Sequence, residues 1–421
     1  MANKNLNTDL HVEVAIIGAG PSGLAAAVEL RRRGIKDVVV FEREVTAGGI
    51  PRHCGHPPFG IREFKRLLTG PQYARQLVKQ AEETGVTILP RHSVVDLLSG
   101  GKLRVATPEC LKNISACRVL IATGVRETPR SARFISGGRP QGILTTGALQ
   151  SMLYLKELIP FQRPVIVGTE LVSFSAILTA SNGNIKPVAL IESGSRITAR
   201  HPLELLPLVK RIPIHLNTKL ESIHGINKVE YVRLRDQVTG KINELACDGV
   251  LFTGEFVPES SLIRNSPLVL DPGSIGPQVN QYGRCSDPAY YATGNLLRPV
   301  ETAGWCYQEG LMVGKFIAED IQNKTLIHKK TIVISHESPV KLIVPQKLLF
   351  SPKLPLSQQS GFSSLQLRVE RPAKGMLVVE GNGEIIWQKN ISALPERRIL
   401  IPIAKLKIPK NVTSMTVKIL G

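Results

Sequence analysis

The stretch Val14-Ala15-Ile16-Ile17-Gly18-Ala19-Gly20-Pro21-Ser22-Gly23-Leu24 constrains this chain more than any other. Four apolar residues predict a short buried strand, the glycines a tight turn, and Leu24-Ala25-Ala26-Ala27-Val28-Glu29-Leu30 an amphipathic helix. The glycines differ in what they permit. Gly18 makes the turn, Gly20 lets backbone reach a diphosphate, and Gly23 lets helix and strand pack closely. Pro21 and Ser22 open the helix, whose free N–H groups and positive dipole end attract phosphate. The apolar run Val38-Val39-Val40-Phe41 then delivers Glu42, 24 residues after Gly18, where a carboxylate can accept from ribose hydroxyls. Strand, turn, helix and acid together spell the opening of a dinucleotide-binding βαβ unit.

At 421 residues the chain has room for two or three domains, and 43% apolar with 21% charged residues is an ordinary globular composition. No apolar run approaches the roughly 20 residues of a membrane span, and the start lacks the layout of a secretion signal. These features point to a soluble, cytoplasmic protein. The net charge of +19 is spread along the chain, with aromatics at only 5%. A nucleic-acid groove needs basic and stacking residues focused on one face, so nucleic acid is excluded as a partner; peripheral contact with an anionic inner membrane face stays open. The six cysteines show neither a C-x-x-C pair nor a clustered Cys/His spacing, so no metal site is expected.

After Glu42 comes Arg43-Glu44-Val45-Thr46-Ala47-Gly48-Gly49-Ile50, a strand end running into a glycine pair. With the opening motif, this order resembles the two-dinucleotide flavoproteins, the pyridine nucleotide-disulfide oxidoreductases in the broad sense. The resemblance implies that the first nucleotide is FAD and that Arg43, Gly49 and Ile50 lie along it. It continues at intervals to about residue 320. By resemblance, Val94 contributes backbone contacts to adenine, and Ala122-Thr123-Gly124 closes over the ADP half. Gly294-Asn295 stands where the family has Gly-Asp, and an amide there keeps the contact while removing a negative charge. Thr302 and Ala303 open a helix whose first N–H groups would point at the flavin pyrimidine edge and stabilise the anionic reduced flavin.

The family's disulfide reductases carry a C-x-x-x-x-C pair after the glycine pair. Here the corresponding loop, Pro51-Arg52-His53-Cys54-Gly55-His56, has Cys54 without a second cysteine within ten residues, which excludes a redox disulfide of that type. Its candidates for chemistry are His56, able to take a proton near neutrality, and Cys54, whose thiol the neighbouring cations would acidify if they are as near in space as in sequence. Residues 61 to 84 read as one helix, from Phe64, Leu67, Leu68, Leu77, Val78 and Ala81.

A second nucleotide unit begins at Pro164-Val165-Ile166-Val167-Gly168, but continues Thr169-Glu170-Leu171-Val172-Ser173, so Glu170 replaces the second glycine of the fingerprint. A carboxylate there fills the phosphate's space and repels it, by about 1 kcal/mol at 4 Å in water and about 4 at an effective dielectric of 20. NAD(P) binding is therefore expected to be lost from a retained scaffold. The segments 125–130 and 140–150 resemble the flavin subunits of opine dehydrogenases and hydrogen cyanide synthase, and flavoproteins associated with anaerobic glycerol-3-phosphate dehydrogenases.

The expected fold is α/β: a Rossmann-like FAD-binding domain over 1–150 and 280–325, an inserted Rossmann-like NAD(P)-type domain over 151–279, and a small β-rich domain over 326–421. The expected function is an FAD-dependent dehydrogenase that takes a hydride from a small amine, opine or hydroxy acid and passes electrons to a quinone or partner subunit. Two alternatives stay open: an NAD(P)H-dependent flavin reductase without the redox disulfide, and a non-catalytic FAD-holding relay subunit.

Overall fold

The run Val14–Ile17 lies in the parallel part of a mixed sheet, paired through Val14 to Val38 on one side and Arg118 on the other. The computed structural model describes residues 10–199, 201–323, 330–351 and 361–421. The chain divides into two compact units, Met1–Gly49 with Ala74–Val125 and Pro258–Gly421, and Ile50–Tyr73 with Arg126–Val257. The loop carrying Cys54 and His56 thus clusters with the inserted segment.

In the first unit the strands run in the order Thr87–Pro90, Val38–Glu42, Leu10–Ile17, Leu111–Ile121, Lys102–Ala106 and Ser93–Leu98, and Tyr290–Ala292 pairs with Leu111–Ile121. The first four and the late-arriving Tyr290–Ala292 are parallel; the remaining two form an antiparallel meander. The first helix, Pro21–Arg32, packs against a long helix, Ala303–Ile321. The seam is made of small residues. A methyl on Gly310 would collide with the Ser22 carbonyl, and one on Gly314 would lie 2.7 Å from that of Ala26. Gly310-x-x-x-Gly314 facing Ser22-x-x-x-Ala26 lets the two backbones approach along ridges spaced four residues apart.

The second unit holds a five-stranded parallel sheet in the order Ile214–His215, Ala189–Ile191, Pro164–Val167, Gly249–Phe252 and Ile143–Thr145. Leu149, Ile166, Ile177, Leu190 and Leu251 form one of its cores. The helix expected over 61–84 is two helices, Ile61–Phe64 and Gly70–Glu83. Phe59 and Leu68 exchange backbone hydrogen bonds at 2.9 Å, which closes the chain into a small loop and interrupts the helical ladder. Gly70 sits against the Cys54 and Pro51 carbonyls, where a side chain would not fit.

The C-terminal residues form a five-stranded and a three-stranded sheet around one core that includes Ile332, Leu365, Leu377, Ile401 and Val417. The strands Ala373–Gly381 and Glu384–Ala393 meet at a turn where Asn382 and Gly383 have φ of 52° and 84°, as a two-residue hairpin turn with the sheet's twist requires. The expected boundary at 325/326 lies outside the described residues. Among the described residues, no helix is long and apolar enough to cross a membrane.

Candidate functional site

The opening glycines are matched to their surroundings one by one. Gly18 has φ +104°, and a methyl on it would lie 2.6 Å from the Ala122 carbonyl. A methyl on Gly23 would strike the Gly18 carbonyl, and one on Gly49 would lie 2.8 Å from the Gly20 Cα. Gly20 differs: the nearest atom to a methyl there is the Gly49 Cα, at 4.0 Å. Its outer face is open. The first intrahelical bond runs from Leu24 N–H to the Gly20 carbonyl at 3.0 Å, and Pro21 has no N–H. The amides of Ser22 and Gly23 therefore precede the helical ladder. An open backbone face at a positive helix end fits a dinucleotide's diphosphate.

Glu42 lies at the end of its strand, buried, and accepts from Ala19 N–H at 3.0 Å and Glu44 N–H at 2.9 Å. Its carboxylate thus ties the glycine turn to the second strand, and each oxygen keeps one lone pair for a hydroxyl. Arg43 points to solvent beside Glu44, at 4.0 Å. Val94 is half-buried on the meander, opposite Val105. Ala122 backs Gly18 and Gly23, so its small side chain matters as much as theirs. Thr123 donates to the Glu259 carbonyl at 2.8 Å, and Gly124 accepts from Glu259 N–H at 2.9 Å.

At the other end, Gly294 N–H donates to buried Glu309 at 2.7 Å. Asn295 exchanges bonds with the backbone of Glu301: Glu301 N–H donates to Oδ1 at 2.6 Å and Nδ2 donates to Glu301 O at 3.1 Å. Its amide braces the loop. Thr302 caps the long helix, with its carbonyl accepting from Trp305 and Cys306 N–H at 3.0 and 3.1 Å, so the amides of Ala303 and Gly304 precede the ladder. Sequence reading missed Glu309 and Arg298, which are buried and paired with each other. A lone glutamate on the apolar face between Trp305 and Val313 was the available signal.

In the second unit Ile50 opens the short helical turn Ile50–His53 and is exposed. Cys54 and His56 belong to one directed hydrogen-bond chain. The Cys54 thiol lies 3.4 Å from Gln150 Oε1, Gln150 Nε2 donates to Ser175 Oγ at 2.8 Å, and Ser175 bonds to His56 Nε2. His56 Nδ1 lies 2.9 Å from the Pro57 carbonyl. That carbonyl can only accept, so Nδ1 carries the hydrogen and the lone pair of the neutral ring faces Ser175. The expected acidification of Cys54 is not found. Burial, aided by the charge of Glu127, pushes its thiol up to about 12, because desolvation and a nearby carboxylate both penalise the thiolate.

The second glycine turn is filled by its own side chain. A methyl on Gly168 would lie 2.7 Å from Glu170 Oε2, and one on Gly254 would lie 2.8 Å from Glu170 Oε1. The Glu170 carboxyl is folded over both glycines, and burial raises its pKa above the usual carboxylate range. The carboxyl's volume is therefore an obstacle to a phosphate in this turn. Arg133 closes the rim, donating to the Thr253 and Gly254 carbonyls at 3.0 Å and lying over the Phe252 ring at 4.9 Å. Glu192 is held by Thr169 and by Gly194 N–H at 2.8 Å. Among the described residues no group of three or more His, Cys, Asp or Glu side chains could hold a metal ion.

Comparison with known proteins gives the family and the fold. The family model described as pyridine nucleotide-disulphide oxidoreductase matches residues 12–310. A ferredoxin–NADP reductase of Picrophilus torridus is 22% identical over 293 residues, covering 68% of this chain and 85% of that protein. One of the opine oxidase subunits of Rhizobium meliloti is 24% identical over 314 residues, covering 67% of this chain and 58% of that protein. Among solved structures, thioredoxin reductase of T. acidophilum superposes with a TM-score of 0.64 at 21% identity, covering 75% of this chain and 100% of that one.

Proposed function

Because this chain belongs to the pyridine nucleotide-disulphide oxidoreductase family and is thus a flavin-dependent oxidoreductase, we propose that it is a dehydrogenase reduced by a small organic substrate rather than by NAD(P)H. The observation that carries this reading is Glu170, whose carboxyl lies over Gly168 and Gly254 where a nicotinamide dinucleotide's diphosphate would rest. The absence of a second cysteine near Cys54 removes the disulfide-reductase route as well.

Bound FAD would supply a hydride acceptor; Gly20, Ser22, Gly23, Gly49, Ala122 and the start of the long helix would hold it. Val94, Thr123, Gly124, Gly294 and Asn295 support that cradle, and Glu42 braces the glycine turn from behind. We assign proton transfer to His56. Its Nε2 lone pair is aligned by Ser175, and a proton gained there turns the Ser175 hydroxyl from donor to acceptor. Cys54, buried and neutral, donates into the same chain through Gln150. Amines, opines and hydroxy acids are the substrate classes, and the electrons leave to a quinone or a partner subunit.

Anaerobic titration of the purified full-length protein tests the proposal. Amines, opines or hydroxy acids bleach the flavin absorbance, whereas NADH and NADPH leave it unchanged. Rapid bleaching by either nicotinamide would overturn it in favour of a reductase.

A further inference from the structure

The junction that starts the long helix carries more charge than a helix start needs. Glu301, immediately before Thr302, is 8% exposed at its side chain and pairs with two arginines, Arg368 in the strand Ser364–Val369 and Arg398 just before the strand Ile399–Pro402. Arg368 Nη2 lies 2.9 Å from Oε1 and Arg398 Nη1 lies 3.3 Å from Oε2. Arg368 also donates to the Val300 carbonyl at 3.0 Å, and the Arg398 guanidinium lies 3.9 Å from the Trp305 ring centroid. From within the loop, Arg298 donates to Gln366 Oε1 at 2.8 Å and pairs with Glu309 of the helix. Residues 294–302 are thus gripped by the helix on one side and by the strand Ser364–Val369 and Arg398 on the other.

Stability alone does not call for this arrangement. Buried ion pairs are often replaced by well-packed apolar side chains at no loss. The balance of charge is informative: three guanidiniums face two carboxylates, leaving a net positive charge at the amide end of the helix, where the dipole is also positive.

We propose that the C-terminal sheet sets the reduction potential of the flavin, with Arg368 and Arg398 as positioning residues that neutralise Glu301 and hold the helix start in place. This rests on the reading that the cradle binds FAD with the helix start at its pyrimidine edge. Removing either arginine leaves Glu301 with the other but takes away the net positive charge at the helix start, where a bound reduced flavin would carry negative charge, so reduction becomes harder. Neutralising Glu301 does the opposite.

The test is a dye-equilibrated reductive titration of full-length, FAD-loaded wild type and the variants Arg368→Gln, Arg398→Gln, Arg368→Lys and Glu301→Gln. The two arginine-to-glutamine changes are expected to shift the redox equilibrium at least tenfold against reduction, about 30 mV for a two-electron couple. Glu301→Gln shifts it the other way, and Arg368→Lys stays near wild type. Arg398→Gln, at the more exposed position, keeps the comparison available if Arg368→Gln folds poorly, and circular dichroism monitors folding. Flavin-loaded variants with unchanged potentials, or shifts of one sign in both classes, overturn the proposal. A wild-type protein unable to take up FAD defeats the underlying flavin reading instead.

Discussion

At the scale of single residues, the two glycines at the head of the first helix separate binding from folding. Gly20→Ala places its methyl in open space, so thermal stability without flavin stays at the wild-type value while FAD affinity falls at least tenfold, about 1.4 kcal/mol; calorimetry and fluorescence titration read the two effects. Gly23→Ala drives a methyl into the Gly18 carbonyl and costs about 1–3 kcal/mol of folding free energy, measured by urea unfolding. Glu170 makes a prediction about pH. Its folded pKa is raised by burial, so between the unfolded carboxylate value and the folded one the native state binds the extra proton, and stability falls as pH rises through that window. Glu170→Gln is therefore more stable than wild type at neutral and alkaline pH. The difference vanishes below the ordinary carboxylate range, as melting curves across pH would show.

At the scale of elements, the seam between Pro21–Arg32 and Ala303–Ile321 depends on the absence of side chains. Gly314→Leu has no room beside Ala26; it destabilises the first unit by about 1–3 kcal/mol and releases flavin, which a denaturant midpoint and the filtrate absorbance report together. What could be foreseen follows the range of the interaction. The buried run Val14–Ile17, the glycine turn and the hairpin around Asn382-Gly383 are encoded by neighbours in sequence, and periodicity and turn chemistry reveal them. The break between Ile61–Phe64 and Gly70–Glu83 was hidden because the Phe59–Leu68 pairing competes with a good helical pattern. The acidity of Cys54 is hidden for a related reason: sequence shows the cations beside it but not the burial and the Glu127 charge that push its thiol up. The bonds from Arg368 and Arg398 to Glu301 span nearly 70 and 97 residues, and no local signal marks them.

At the scale of the whole molecule, two Rossmann-like sheets carry two glycine turns, one open at Gly20 and one filled by Glu170. One dinucleotide per chain is the expected stoichiometry. Extracted cofactor should contain one equivalent of FAD, and calorimetry with NADH should show no tight binding until Glu170→Gly restores the cradle. The interleaving of the units also orders events during synthesis. Gly249–Phe252, the last strand of the inserted sheet, leaves the ribosome before Tyr290–Ala292 and the long helix that complete the flavin unit. At roughly 5–20 residues per second, the nascent chain spends several seconds with its nucleotide cradle half built. Coenzyme capture is thereby postponed until the long helix has been made, and a ribosome stalled before it would carry a folded insert and no pigment.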